Sequence, residues 1–129
     1  MGQQQLLLII LGVIVVGIAV AVGITMFQDN AISANRDAVT NDLVNLSARA
    51  QQYYRRPTAL GGGQGTFTGM VLGSLTTKPI NANGTYVLTS VAAQQIVLDG
   101  TGTEDGDDGN FISVTMTVLS DSSYVVFNN

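Results

Sequence analysis

The sequence predicts an α+β fold: a long N-terminal helix, apolar in its first half and amphipathic in its second, packed on a small C-terminal antiparallel β-sheet. Three observations predict it. Residues 6–27 form an unbroken apolar run. Residues 32–53 carry apolar side chains at helical spacing. Beyond residue 66, short stretches rich in alternating and β-branched residues recur between turn signals.

The apolar run reads LLLIILGVIVVGIAVAVGITMF, holds no charge, and has Thr25 as its only polar side chain. At about 1.5 Å of rise per residue, a helix of this length crosses the roughly 30 Å hydrocarbon core of a bilayer. The core helix of a soluble protein is usually shorter and keeps a polar stripe, whereas this run is apolar all the way round. Lipid, or other copies of the chain, must therefore cover it. Leu6, Leu7, Ile10, Leu11, Val13, Ile14, Val16, Ile18, Val20, Val22, Ile24 and Phe27 are its candidate assembly core. A cleaved signal peptide fits less well. Met1-Gly2-Gln3-Gln4-Gln5 supplies no Lys or Arg, and the run exceeds the usual apolar region of about 7–15 residues.

Gly12, Gly17 and Gly23 are spaced five and six apart and so form no GxxxG ridge. Two readings of them stand. Glycine is ordinary in membrane helices; each glycine also lowers helix stability by up to ~1 kcal/mol, so the helix could loosen between Gly17 and Gly23. Downstream, Asp29, Arg36, Asp37 and Asp42 give no positive excess that would hold the C-terminal part in the cytoplasm.

The helix should continue past the run. Ile32, Val39, Leu43, Leu46, Ala50 and Tyr53 follow spacings of 7, 4, 3, 4 and 3, with Asp29, Arg36, Asp37, Asp42 and Arg49 off the stripe. This stripe is expected to pack on the chain's own sheet. Arg55 and Arg56 suit a helix C-terminus and Pro57 supplies the stop, so one helix is expected over residues 1–56. Residues 57–65, ending in Gly61-Gly62-Gly63-Gln64-Gly65, read as a flexible Pro/Gly-rich linker, and residues 66–129 as the β domain.

Within that domain, residues 66–72, 85–91, 94–98, 111–119 and 123–127 are the strand candidates. In the fourth, Ile112, Val114, Met116 and Val118 alternate with Ser113, Thr115 and Thr117, a half-buried pattern. Asn83-Gly84 and Asp121-Ser122-Ser123 supply turn chemistry. An antiparallel sheet with one wet face results, and the amphipathic half-helix covers its dry face.

The segment from Asp99 to Asn110 concentrates Asp99, Glu104, Asp105, Asp107 and Asp108 among glycines. It reads as a solvated hairpin tip. Oxygen ligands on flexible backbone also suit Ca²⁺, which makes Asp99, Asp105, Asp107 and Asp108 weak metal candidates; the EF-hand spacing fails, because position 12 from Asp105 is Met116. Two N-glycosylation sequons occur, Asn45-Leu46-Ser47 on the helix and Asn83-Gly84-Thr85 in an expected exposed turn, which makes Asn83 the better acceptor.

Composition narrows the function. The 129 residues leave one modest domain beyond the apolar run, and only 11% are charged, sparse for a free-standing surface. The net charge of −4 argues against a nucleic-acid partner. Without Cys there is no disulfide, and without His the commonest general base and metal ligand are missing. Neither an enzyme nor a bound cofactor is expected.

An uncharged apolar N-terminal helix, a continuing amphipathic helix, a Gly-rich loop and an antiparallel sheet, in that order, resemble type IV pilins and the pseudopilins of secretion systems. The specific part of the likeness is residues 1–56. The resemblance implies a structural subunit of an extracellular helical filament, inserted in the cytoplasmic membrane before assembly, with apolar half-helices in the core and sheets outside. It also implies a helix that loosens on assembly, here between Gly17 and Gly23. Family members carry a basic leader cleaved after Gly, and a Glu as fifth mature residue that pairs with a neighbour's terminal amine. In this chain that place is Gln5 if Met1 is the first residue and Leu7 if cleavage follows Gly2. Gln5 can accept a hydrogen bond but cannot form the ion pair. The family's helix proline and C-terminal disulfide are also missing. Other filament subunits with an apolar helix, archaeal ones included, share the same pattern. A single-pass anchored binding module with a calcium-loving loop is the alternative from a different functional class.

Overall fold

The structure, a computed structural model, describes residues 2–106 and 108–129; Met1 and Asp107 lie outside the described residues, and with Asp107 goes one of the calcium candidates. Helix α1 (Gly2–Arg55) runs unbroken for 54 residues, about 81 Å. A single 3-10 turn (Thr58–Leu60) and a one-turn helix α2 (Leu72–Leu75) follow. Strands β1 (Gly84–Val91), β2 (Gln95–Asp105), β3 (Phe111–Leu119) and β4 (Ser123–Phe127) then form one antiparallel meander in the order β1-β2-β3-β4. The expected α+β fold is the observed one.

Only the second half of α1 lies on the sheet. Val39, Leu43, Leu46 and Ala50 are buried against Ile96, Leu98, Ile112, Val114, Met116 and Val118, while Ile32 and Tyr53 close the two ends of the stripe. Burying each of the larger side chains stabilises the fold by about 1.5–3 kcal/mol before ordering costs are counted. Ile112, Val114, Met116 and Val118, the positions the alternation picks out in β3, are all buried, and Thr117 of the opposite set is buried as well.

Three expectations about the loops are corrected. Residues 66–72 are not a strand. Gly65 and Gly69 hold positive φ values of 89° and 85°, which breaks any extended run, and the segment instead drops Phe67 and Met70 into the top of the core. The Phe67 ring sits 4.8 Å from that of Tyr54, and its backbone N–H donates to the Ala93 carbonyl at 2.9 Å.

Residues 57–65 are not a free linker either. The N–H groups of Gly63, Gln64 and Gly65 donate to the carbonyls of Tyr53, Arg56 and Tyr54 at 2.8, 3.0 and 2.7 Å, supplying partners to the otherwise orphaned end of α1. A Cβ on Gly63 would stand 1.8 Å from the Thr66 carbonyl oxygen, so glycine is needed there for close approach rather than for looseness.

The third correction concerns the acidic segment. Strand β2 continues through Asp99 to Asp105, and only the residues after it turn. Gly100 and Gly102 face α1, where a Cβ would stand 2.7 Å from Val39 Cγ1 and 2.1 Å from Asn35 Oδ1 respectively. At these glycines the side chains of Val39 and Asn35 lie directly against the β2 backbone.

Candidate assembly surface

The first half of α1 projects past the sheet with nothing of this chain against it. The apolar stretch of α1, long enough to cross a membrane, is 0% buried. Leu6 is 58% exposed, Val16 61% and Phe27 77%, and the other candidate core residues lie in the same exposed class. Exposure on every side follows from the composition, since a helix with no polar stripe has no face to turn to water. The one hydroxyl in the run, on Thr25, donates to the Ala21 carbonyl at 3.1 Å. Its polarity is thus satisfied inside the helix, as an apolar surrounding requires.

Gly12, Gly17 and Gly23 sit in continuous α-helix, and a Cβ at any of them would meet nothing within 4 Å. In the single chain the helix does not loosen between Gly17 and Gly23. Gln5 lies exposed in the first turns of α1, as does Leu7 beyond it.

Below the apolar rod, a polar network fixes α1 to the sheet's first edge. Asp42 Oδ2 accepts hydrogen bonds from Asn81 Nδ2 at 3.0 Å, Asn83 Nδ2 at 2.9 Å and the Tyr86 hydroxyl at 2.5 Å. Two helical turns earlier on the same face, Asn35 Nδ2 donates to the Asn83 carbonyl at 2.9 Å, while its Oδ1 accepts from the Thr103 N–H at 2.9 Å. Burial pushes the Asp42 carboxyl up, but the hydrogen bonds from Asn83, Tyr86 and Asn81 together outweigh it and hold it below the usual carboxylate range. Burial, and then the adjacent Asp42 carboxylate, raise the Tyr86 phenol above its ordinary value, so it stays a donor.

Asn83 was expected in an exposed turn, as the better glycosylation acceptor. It is half-buried, with its side-chain amide committed to Asp42. Asn45, the other sequon asparagine, is exposed on α1. The network itself was missed by sequence reasoning. Its signal was there: Asn35 and Asp42 lie seven residues apart, two helical turns, flanking the stripe through Val39 and Leu46.

The calcium candidates are pulled apart. Asp99 lies on the wet face of β2, where its carboxylate accepts from Thr89 Oγ1 at 2.5 Å and Thr115 Oγ1 at 2.7 Å. Asp105 is six residues further along the strand, about 20 Å away at strand spacing. Asp108 Oδ1 accepts from the Asn110 N–H and from Asn129 Nδ2, both at 3.0 Å; the first of these contacts, with the second behind it, holds that carboxyl below its usual range. Among the described residues no group of three or more His, Cys, Asp or Glu side chains is placed to hold a metal ion.

The hollow beside the Asp42 network, lined by Asp42, Arg49, Lys78, Asn81 and Tyr86 among others, holds about 130 Å³, short of the roughly 300–1,000 Å³ of a small-molecule site; an open hollow bordered by Arg49, Gln52, Tyr53, Arg56, Gly61, Ser74 and Leu75 holds about 430 Å³. The most extended feature of the surface is the apolar rod. No protein-family model, no curated protein and no solved structure matches the chain.

Proposed function

We propose that this chain is the structural subunit of a pilus-like extracellular filament, built by packing the apolar halves of α1 from many copies into a shared core. It is non-catalytic, resides in the cytoplasmic membrane before assembly, and leaves it as copies replace lipid. The observation that carries this reading is the fully exposed apolar rod of residues 6–27 joined rigidly to a folded sheet domain. A rod of this length is satisfied equally by lipid and by its own kind. The low charge of the rest of the chain favours its own kind, because a surface mostly covered by neighbours needs few charges.

Since lipid is as apolar as the rod, moving from membrane to filament gains little hydrophobic free energy. Side-chain packing between helices and contacts between the sheet domains must supply the difference. The test is Val16→Asp, expressed in place of the wild-type chain in the organism that makes it. Negative-stain microscopy should show fibres on wild-type cells and none on the variant, while the sheet domain of the variant remains folded. Bare wild-type cells would instead indicate a single-pass anchor, and normal fibres from the variant would remove the rod from the assembly.

A further inference from the structure

Among the described residues, most charges of the helix–sheet half are sorted by sign along α1, with Asp99 in mid-sheet between the two groups. At the end next to the apolar rod, Asp29, Asp37, Glu104, Asp105 and Asp108 gather with one described cation, Arg36. Their placement is fixed by contacts. Glu104 and Asp105 share a hollow with Gln28 and Ile32, and the Glu104 N–H donates to Asn35 Oδ1 at 3.3 Å. Asn129 donates to Asp108, and its carbonyl oxygen accepts from Arg36 Nη2 at 3.0 Å.

At the far end, Arg49, Arg55, Arg56 and Lys78 gather with Asp121, and Arg49 and Lys78 also share a hollow with Asp42, so cations outnumber carboxylates there. Arg49 and Arg56 border one hollow with Gly61 and Ser74, and Gln51 Nε2 reaches the Ser122 carbonyl at 3.3 Å, which places the Asp121 turn there. Apart from half-buried Arg36 and Asp42, the charged side chains at both ends are exposed.

The outermost charges, Asp29 and Arg55, stand about 39 Å apart along α1, and the middles of the two charged segments about 29 Å apart. That is several times the roughly 8 Å Debye length at physiological salt, so within one copy the ends do not compensate each other. A second copy of the chain, shifted along the helix axis, carries the complement of each end. We propose that the acidic end of one sheet domain docks on the basic end of the next, as a head-to-tail contact between copies; this rests on the filament reading above.

Such a contact uses two different patches, and a heterologous contact of that kind propagates rather than closing into a dimer. It also fixes direction, because reversing one copy sets like charges together. The axial shift, about 29 Å between the middles of the two charged segments, is close to the roughly 33 Å of the apolar rod. Copies joined by their charged ends therefore overlap little along their rods, and the rod packs mainly against other copies. Two contact types linking different pairs make a lattice.

The test uses two full-length variants in the same cells. Arg55→Glu with Arg56→Glu makes both ends acidic; Asp37→Arg, Glu104→Arg and Asp105→Arg together make both ends basic, since Asp29 and Asp108 then face four cations beside the rod. Each alone should lower the number of fibres per cell at least about tenfold, since the exposed attractions become repulsions. Co-expressed, they should restore fibres in which the two variants alternate, an outcome that unfolded protein cannot give. Wild-type fibre numbers from either variant alone, or bare cells on co-expression with both variants folded in the membrane, would overturn the contact while leaving the filament reading in place. Wild-type cells without fibres would remove both.

Discussion

The two halves of α1 share one backbone and meet opposite surroundings. In the second half, Val39, Leu43 and Ala50 are wholly buried beneath the sheet; in the first, residues more apolar than these stand open. The difference lies in what the remainder of the chain can reach. The meander is shorter than the helix and covers only the stripe from Ile32 to Tyr53. The covered half has its environment decided by its own sequence, and the uncovered half has it decided by whatever else is present. Glycine shows the same contrast. On the sheet, Gly100 and Gly102 are filled to contact by the helix above, whereas Gly12, Gly17 and Gly23 border open space.

Substitutions in the two halves should therefore differ in kind. The largest effect belongs to Val16→Asp, since a carboxylate at the centre of an apolar assembly costs about 2.5–3.5 kcal/mol per copy on insertion scales and recurs in every subunit. Fibres should vanish while the thermal unfolding of the sheet domain in detergent is unchanged.

Next come Gly100→Ala and Gly102→Ala. Each should lower sheet-domain stability by about 1–3 kcal/mol through overpacking. For Gly102 the displaced atom is Asn35 Oδ1, which is held by the Thr103 and Glu104 N–H groups and has no easy retreat. Denaturant unfolding of the full chain measures this, and wild-type stability from both variants would mean that α1 is not pressed on β2.

Asp42→Ala should cost about 1–3 kcal/mol as well, toward the lower part because Asp42 is only half-buried; it leaves two amides and a phenol without their acceptor. The pH dependence gives a sharper reading. Asp42 has a depressed folded pKa, so its contribution is fully present above the unfolded-state value of about 3.9 and disappears as pH falls through the folded value. Melting temperatures of wild type and Asp42→Asn should differ at neutral pH and converge under acid. Parallel curves throughout would assign the network no ionic character.

The smallest effect, and one of opposite sign, is expected at Gly17→Ala. In the single chain a methyl group there meets nothing and raises helix stability by up to ~1 kcal/mol. Circular dichroism in detergent should register slightly later melting. Fewer fibres from this variant would show that assembly uses either close approach or local loosening at that residue.

Much of the molecule was legible before folding. The extent of α1 followed from an apolar run, a 3.6-residue stripe and Pro57, β3 fell on its alternating segment, and β4 on the last strand candidate. The failures share one cause, which is that glycine is ambiguous in sequence. Gly63, Gly100 and Gly102 read as looseness, yet each marks a place where backbone or helix comes too close for a Cβ. The Asp42 network escaped for a related reason: Asn81 and Asn83 look like turn residues until a helix carboxylate is set beside them.

By itself, then, the order of residues determined which stretches are helical or extended, and that residues 6–27 cannot rest in water. These properties depend on neighbours a few positions away, through periodicity and backbone preference. Tertiary structure alone decided that α1 leaves the sheet before its apolar half, that glycines seat it on β2, and that acids and bases collect at opposite ends. Those are facts about residues dozens of positions apart brought together, and no local pattern encodes a distance.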